Sequence, residues 1–217
     1  MAHRSGALAT IPGTLSGGAR NTKGPRSPLL AAAAALCAAI FGAQGLPPGT
    51  EAAASTKRSS CRGADLAPTA GDSSAIGAAT LCLIDRIRAA WHLAPVRANS
   101  ALRAVAASQV RSMVRWDYFS DVRPTGQTPL SLVTRTSYWA HTSSVSVAQN
   151  IAWGTGALAT PARIVAAWMA SPPHRRLILT GYFRDAGVAA VAAVPWRLGH
   201  GRHGATYAIE FGERRSG

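Results

Sequence analysis

The segment AWMASPPHRRLIL, residues 167–179, places a histidine where chemistry could occur. An apolar helical stretch ends at Ser171-Pro172-Pro173, and His174 follows at once, before two arginines and a second apolar run. A histidine can serve as a general base, a metal ligand or a buried hydrogen-bonding group. The partners available to His174 therefore decide whether the protein is an enzyme, a metal protein or a binding module.

Catalytic residues other than His174 have little support in the sequence. A serine or cysteine nucleophile needs an oriented base within reach, and no G-x-S-x-G turn surrounds any serine. Glycoside hydrolysis by paired carboxylates also has little support, because the chain has only nine acidic residues. The sequence favours a protein without catalytic residues, and hydrolysis is the minority interpretation.

The N-terminal segment is typical of an exported protein. Residues 1–28 contain four basic residues and no acid, and the run LLAAAAALCAAIFGA (29–43) has no charge. This run has the size of a signal-peptide core and is too short to span a bilayer core of about 30 Å. We predict a secretory signal in residues 1–45, with an uncleaved membrane anchor as the alternative, and a linker with an N-terminal strap in residues 46–71.

The charge of the chain is strongly positive. Residues 1–45 hold four of the 23 basic residues and none of the nine acids, so a formal charge of +10 remains without them. Such a field attracts anionic envelope polymers, lipid head groups or nucleic acid. The arginines are scattered and no basic run alternates with aromatic residues, which argues against nucleic acid. An arginine-rich, lysine-poor composition is also typical of a GC-rich genome, so composition bias competes with function as its cause.

The number of cysteines is consistent with export. Cys37 leaves with the predicted signal, so Cys61 and Cys82 remain as a pair. In an oxidising compartment they would join the strap to the first helix and stabilise the fold by roughly 3 kcal/mol. Two unpaired buried thiols are the alternative. Two thiols do not make a closed structural zinc site, which normally needs four ligands.

Helical periodicity begins after the strap. The spacing predicts a first helix over about 72–92 with Asp72 or Ser73 as its N-cap. Its predicted buried stripe consists of Leu81, Ile84, Ile87 and Trp91. The charged residues predicted to lie largely off that stripe are Asp85, Arg86 and Arg88. A second helix is predicted from Asn99 or Ser100 to about Trp116.

Helices come first along the chain and strands come last. A short helix is predicted at 129–136, and Thr160-Pro161 is a strong helix start, with a capping hydroxyl and a proline at the first helical position. Strands are predicted at 186–194 and 205–212. This order predicts an α+β domain over residues 72–215 in which helices cover an antiparallel sheet.

Six tryptophans supply apolar bulk. Trp91, Trp116 and Trp168 lie on predicted helical stripes, which favours a place in the core. Trp139 and Trp196 lie in predicted loops, where they could line an exposed patch.

Six segments occur in the order and spacing of the CAP superfamily of SCP-like extracellular proteins. They are LCLIDRIRAAWHLAPV, NSALRAVAASQVRSMVRWDYFS, AQNIAWG, IVAAWMASPPHRRLIL, FRDAGVA and TYAIEFG. The chain resembles the short bacterial form over about residues 78–212. The resemblance implies a secreted protein with an α/β/α three-layer sandwich around a mainly antiparallel sheet, and we expect it to be a monomer. It also implies a central cleft reached by the residues near 121 and 174.

In that family the cleft holds two histidines and two acids and often accepts a divalent metal. Carried over by the resemblance, the first histidine is Asp121, one acid falls on Ser131 and the other on Gln149. Only His174 is kept, within SPPHR. A zinc site needs three or four strong ligands at about 2.0–2.3 Å, so we expect no metal and no other cofactor. His141 could substitute as a ligand, but no spacing requires it.

Three functions are considered from the residues and the resemblance together. The favoured one is a secreted, non-catalytic module with a degenerate cleft that contacts anionic envelope polymers, lipids or a lipid-like ligand. The second is a peptidase or esterase that uses His174, for which Asp121, His174 and Ser131 could be drawn as a triad. The third is a divergent structural copy without a ligand, in which Asp121 and His174 are a hydrogen-bonded pair that joins two segments.

Overall fold

The computed structural model describes residues 61–215 and, as backbone alone, residues 8–16 and 216. The predicted signal peptide and linker therefore lie mostly outside the described residues. Within the described parts of the chain, no helix combines the length and the apolar character that crossing a bilayer requires.

Helices and strands are interspersed along the chain. The helices are α1 (Ser73–Ala90), α2 (Ser100–Arg115), α3 (Pro129–Val133), α4 (Pro161–Ala170), α5 (Pro172–Ile178) and α6 (Trp196–Gly199). The strands are β1 (Leu8–Ser16), β2 (Arg97–Ala98), β3 (Thr142–Thr155), β4 (Asp185–Val191) and β5 (Gly204–Ser216). A 3-10 turn at Gly156–Ala159 joins β3 to α4.

The strands lie in the order β1-β3-β5-β4-β2. All neighbouring pairs are antiparallel except β2 and β4, which are parallel. β1 belongs to the segment predicted as a signal peptide, and it pairs with β3 and contacts α4 and α5. The mainly antiparallel sheet that the sequence predicts is confirmed.

Helices cover both faces of the sheet. Because side chains alternate between the faces of a strand, neighbouring residues of β3 enter different cores. Ala148 and Ala152 join the core beneath α1, α4 and α5, whereas Val147 and Ile151 face α2 and α3. Gly187 of β4 allows α2 to approach closely, since a Cβ there would overlap the backbone of Arg103. The three-layer arrangement is therefore confirmed.

Local signals located most helices well. Asn99 caps α2 by accepting hydrogen bonds from the backbone N–H groups of Ala101 and Leu102. Thr160 caps α4 through the N–H of Arg163, with a proline at the first helical position, as predicted. The short helix α3 ends earlier than the predicted 129–136.

The buried face of α1 differs from the predicted stripe. Ile76, Thr80, Ile84 and Arg88 are buried at a spacing of four, whereas Trp91 is 59% exposed. The prediction that Arg88 lies off the core is wrong, because its guanidinium is fully buried among backbone carbonyls. A helix face is predicted from the spacing of its apolar residues, so this method does not detect a polar side chain at a core position.

The tryptophan predictions are corrected in part. Trp168 is fully buried, as expected, but Trp91 and Trp116 are exposed because each is the C-cap residue that ends its helix. Trp139 and Trp196 are exposed, as predicted, although Trp196 begins the short helix α6 instead of lying in a loop.

The predicted disulfide between Cys61 and Cys82 is present, with a Cα–Cα distance of 5.7 Å. It joins the strap to α1, and the strap also contacts α4, where the N–H of Ala162 donates to the carbonyl of Ala64 over 2.8 Å. The bond therefore closes a loop between segments that pack against the same core.

We expect that replacing both Cys61 and Cys82 by serine lowers the free energy of unfolding by about 3 kcal/mol, because the open chain gains entropy when unfolded. The corresponding fall in melting temperature is roughly 6–12 °C for a domain of this size. Calorimetry with and without reductant measures it. Reductant should bring the unsubstituted protein down to the variant and leave the variant unchanged; equal melting without reductant would contradict the prediction.

Candidate functional site

The polar centre of the domain forms around two residues that lie side by side on adjacent strands of the sheet. Gln149 of β3 is paired in register with Glu210 of β5, and both side chains are fully buried. The Nε2 of Gln149 donates a hydrogen bond to Oε1 of Glu210. The other oxygens of these side chains, Oε1 of Gln149 and Oε2 of Glu210, are buried without a hydrogen-bond partner among the described residues.

The loop after α2 brings Asp121 to this pair. Gln109 of α2 donates from Nε2 to the carbonyl oxygens of Ser120 (2.7 Å) and Asp121 (3.4 Å). Arg123 donates from Nε to Oε1 of the same glutamine over 3.1 Å. This network fixes the loop, so that Asp121 is buried and its charge is felt at Glu210.

Burial dominates the ionisation of Glu210. It raises the pKa of this carboxyl from 4.5 to about 8; the hydrogen bond from Gln149 and the charge of Arg123 lower it, and the charge of Asp121 raises it. A carboxyl with this pKa carries its proton at neutral pH. The centre of the domain therefore contains a neutral glutamic acid.

His174 lies in the first turn of α5 and is fully buried. Its Nδ1 is 2.7 Å from Oγ of Ser171, and its Nε2 has no hydrogen-bond partner among the described residues. Its carbonyl accepts from Nδ2 of Asn150 over 3.2 Å. Burial lowers the pKa of the ring from 6.5 to about 4, so the imidazole is neutral at physiological pH.

The hydrogen-bonded pair of Asp121 and His174 that was considered from the sequence is therefore not formed. The ring of His174 contacts Ser171, and Asp121 lies near Glu210 instead. Across the described residues, no group of three or more histidine, cysteine or acidic side chains is arranged to hold a metal ion.

Ser131 is engaged at the start of α3. Its hydroxyl accepts from the N–H of Thr128 (2.9 Å) and donates to the carbonyl of that residue (2.8 Å), while Thr128 Oγ1 accepts from the N–H of Ser131. This reciprocal arrangement is a capping box. The triad drawn from Asp121, His174 and Ser131 is therefore not assembled.

Two residues of this centre, Glu210 and Ser171, are not among the site residues predicted from the sequence. Glu210 was included only as part of a predicted strand, although a lone acid within the apolar run ATYAIEFG was a visible signal of a buried carboxyl. The sequence marks Ser171, three residues before His174, as a helix stop, which does not identify it as a partner of the ring. Its spacing of three across a helical first turn could have indicated the contact.

Comparisons with known proteins agree with this architecture. The model of the cysteine-rich secretory protein family (CAP) matches residues 81–196. An outer surface protein of Borrelia burgdorferi is similar in structure, with a TM-score of 0.50 and 16% identity over 62% of this chain and 90% of that one. An extracellular SCP-domain protein of Bacillus anthracis has a TM-score of 0.51 and 20% identity, over 69% of this chain and 45% of that one. At these identities the structural similarity shows the fold alone. No curated protein matches the chain.

Proposed function

Because the chain belongs to the cysteine-rich secretory protein (CAP) family, we propose that it is an extracellular, non-catalytic module that contacts anionic groups of the cell envelope. The ligand chemistry is phosphate or carboxylate, carried by a polymer or by lipid head groups. The extracellular location is supported by the descriptions of the similar structures, an outer surface protein and an extracellular protein.

The observation that carries the proposal is the sign of the exposed charge. Of the acidic residues that the structure describes, Asp65 alone is exposed, and the others are buried or partly buried. The exposed arginines are Arg62, Arg86, Arg97, Arg103, Arg111, Arg115, Arg135, Arg163, Arg175, Arg176, Arg184, Arg197, Arg214 and Arg215. Such a surface raises the local concentration of anions and speeds their association.

The polar centre supports the non-catalytic part. Glu210 is held neutral by burial, and the hydroxyl of Ser131 is used within its own helix cap. The imidazole of His174 has a pKa of about 4, which makes it a weak base at neutral pH. These groups maintain the fold without presenting a reactive atom to solvent.

We expect the purified protein to be retained by anionic surfaces at low ionic strength and released by salt. The Debye length falls from about 10 Å at 0.1 M salt to about 3 Å at 1 M, so pairing between exposed charges weakens steeply. Co-sedimentation with phosphatidylglycerol vesicles and retention on an immobilised polyphosphate measure the two sources separately. Neutral phosphatidylcholine vesicles are the control, and equal retention at both salt concentrations would contradict the proposal.

A specific contact keeps hydrolysis as the second candidate. Oγ of Ser171 is 2.7 Å from Nδ1 of His174, which is the distance of a nucleophile from its base. The weak basicity of the buried ring argues against activation. A panel of peptide and ester substrates tests it: turnover that disappears both in Ser171→Ala and in His174→Ala would establish hydrolysis and contradict the non-catalytic proposal.

A further inference from the structure

Two exposed tryptophans flank a contact between segments that lie 80 residues apart in the sequence. Trp116 is the C-cap of α2 and is 66% exposed; Trp196 begins α6 and is 68% exposed. Asp117 follows Trp116, and Arg197 follows Trp196. These two charged residues form an ion pair in which Nε of Arg197 is 3.2 Å from Oδ2 of Asp117. The contact between residues 117 and 197 therefore brings the two backbone segments that carry these tryptophans next to each other.

The ion pair is reinforced by the backbone. The N–H of Arg197 donates to Oδ1 of Asp117 over 2.8 Å, so both oxygens of one carboxylate hold the second loop. Asp117 has a φ of 51°, the left-handed conformation that turns the chain away at the end of α2. Two loops that are distant in sequence are thus fixed to each other.

Each indole is also supported on one side. The guanidinium of Arg115 lies 5.4 Å from the centroid of the Trp116 ring. Gly201 leaves room for the other indole, because a Cβ there would approach Cζ3 of Trp196 to 2.9 Å. Rings that are already ordered lose less conformational entropy on binding than free ones.

Positive charge surrounds this pair. Arg111 and Arg115 are exposed one helical turn apart near the end of α2, and the side chain of Arg197 is 82% exposed. Asp117 and Arg197 neutralise each other, so the net positive charge comes from Arg111 and Arg115. Indoles favour the boundary between hydrocarbon and water, and cationic side chains near an anionic bilayer add attraction to its phosphates.

We propose that Trp116 and Trp196, with Arg111, Arg115 and Arg197, form an anchor that inserts both indoles into the head-group region of an anionic phospholipid bilayer. This inference rests on the proposed attraction to anionic envelope groups and identifies the bilayer as the partner. A soluble anionic polymer could pair with the arginines, but it offers no apolar phase for two indoles. The apolar contribution distinguishes the anchor from attraction by charge alone.

The experiment compares a double variant, Trp116→Ala with Trp196→Ala, with the matched control Trp91→Ala. Trp91 is also an exposed C-cap residue followed by a left-handed residue, His92 with a φ of 55°, but it ends α1, a helix that takes no part in the contact between Asp117 and Arg197. Partition onto phosphatidylglycerol vesicles is measured at one fixed salt concentration. We expect the double variant to bind at least tenfold more weakly, the control to bind within twofold of the unsubstituted protein, and retention on polyphosphate to be unchanged in both.

The outcomes separate this inference from the proposed function. If the unsubstituted protein shows salt-dependent binding but the double variant binds vesicles equally well, the anchor is wrong and the attraction to anions remains. An equal loss in Trp91→Ala also overturns the anchor. If neither vesicles nor polyphosphate retain the unsubstituted protein, both proposals fail. Should the double variant not fold, quenching of the tryptophan fluorescence of the unsubstituted protein by brominated phosphatidylglycerol supports the anchor, and unquenched emission overturns it.

Discussion

Arg88→Met is expected to lower the free energy of unfolding by about 3–5 kcal/mol, a large part of the 5–15 kcal/mol that is ordinary for a domain. The side chain of Arg88 is fully buried. Its Nη1 donates to the carbonyl of Ile178 over 2.7 Å and its Nη2 to that of Phe183 over 3.2 Å. Methionine fills a similar volume but donates nothing, so buried carbonyls lose their partner.

The position of Arg88 explains the size of this effect. Its Nε also donates to the carbonyl of Ala94 and its Nη1 to that of Thr180, so one guanidinium joins the ends of α1 and α5 to the segment before β4. Burial lowers the pKa of Arg88 and the charge of Asp85 raises it. Hydrogen bonds from a charged donor contribute about 1.5–3 kcal/mol each, and a buried carbonyl left alone costs about 1–3 kcal/mol.

Urea unfolding followed by circular dichroism measures the change. Arg111→Met on α2 is the matched control, because Arg111 is exposed and its substitution should change stability by less than about 0.5 kcal/mol. A loss below about 1 kcal/mol in Arg88→Met, or an equal loss in both variants, would contradict the role of Arg88 as a link between these segments.

Sequence signals located the elements whose determinants are local. Asn99 and Thr160 each supply a capping oxygen within three residues of the N–H that it accepts from, so their helices could be predicted from short segments. Arg88 could not be assigned in this way, because two of the carbonyls that hold it lie 90 and 95 residues further along the chain. β3 was not predicted as a strand, since both of its faces are covered and its nine buried residues show no alternation.

For the candidate site, the sequence identified residues but not the contacts between them. The resemblance led to Asp121, Gln149 and His174, all of which are buried in the domain. It did not reveal which of them meet. Gln149 reaches Glu210 because the register of β3 against β5 pairs those two positions, and register is a property of the assembled sheet.

Glu210→Gln is expected to stabilise the protein in alkaline solution and to have little effect in acid. The folded state holds the proton of Glu210 up to a pKa of about 8, whereas the unfolded chain releases it near 4.5. The free energy of unfolding of the unsubstituted protein therefore falls as pH rises from about 4.5 to about 8, and it levels off above that. The carboxamide cannot ionise, so the variant escapes this loss.

The carboxamide also fits the site. Nε2 of Gln149 donates to one oxygen of Glu210, and glutamine at this position keeps an oxygen for that bond. Its NH₂ group replaces the O–H of the neutral acid at the other oxygen. The variant thus resembles the protonated state in shape and hydrogen bonding.

The magnitude follows from the width of this pH window. One pKa unit corresponds to about 1.4 kcal/mol, so the difference between variant and unsubstituted protein should grow on the order of 1 kcal/mol per pH unit and reach several kcal/mol at pH 9. At pH 4 the two proteins should agree within about 1 kcal/mol. The pKa of His174 is lowered to about 4, so this residue lowers the free energy of unfolding of both proteins equally as pH falls below 6.5. Its contribution cancels when the free energies of the two proteins are subtracted.

Glu213→Gln is the matched control, because Glu213 lies on the same strand with a partly exposed side chain. Its stability should follow the unsubstituted protein within about 0.5 kcal/mol at every pH. Asp121 and Arg123, the charged groups that act on Glu210, are unchanged in both variants. A stability difference for Glu210→Gln that stayed constant from pH 4 to 9 would mean that the buried carboxyl is not the group that titrates. A variant less stable than the unsubstituted protein at pH 9 would mean that the site requires the charge.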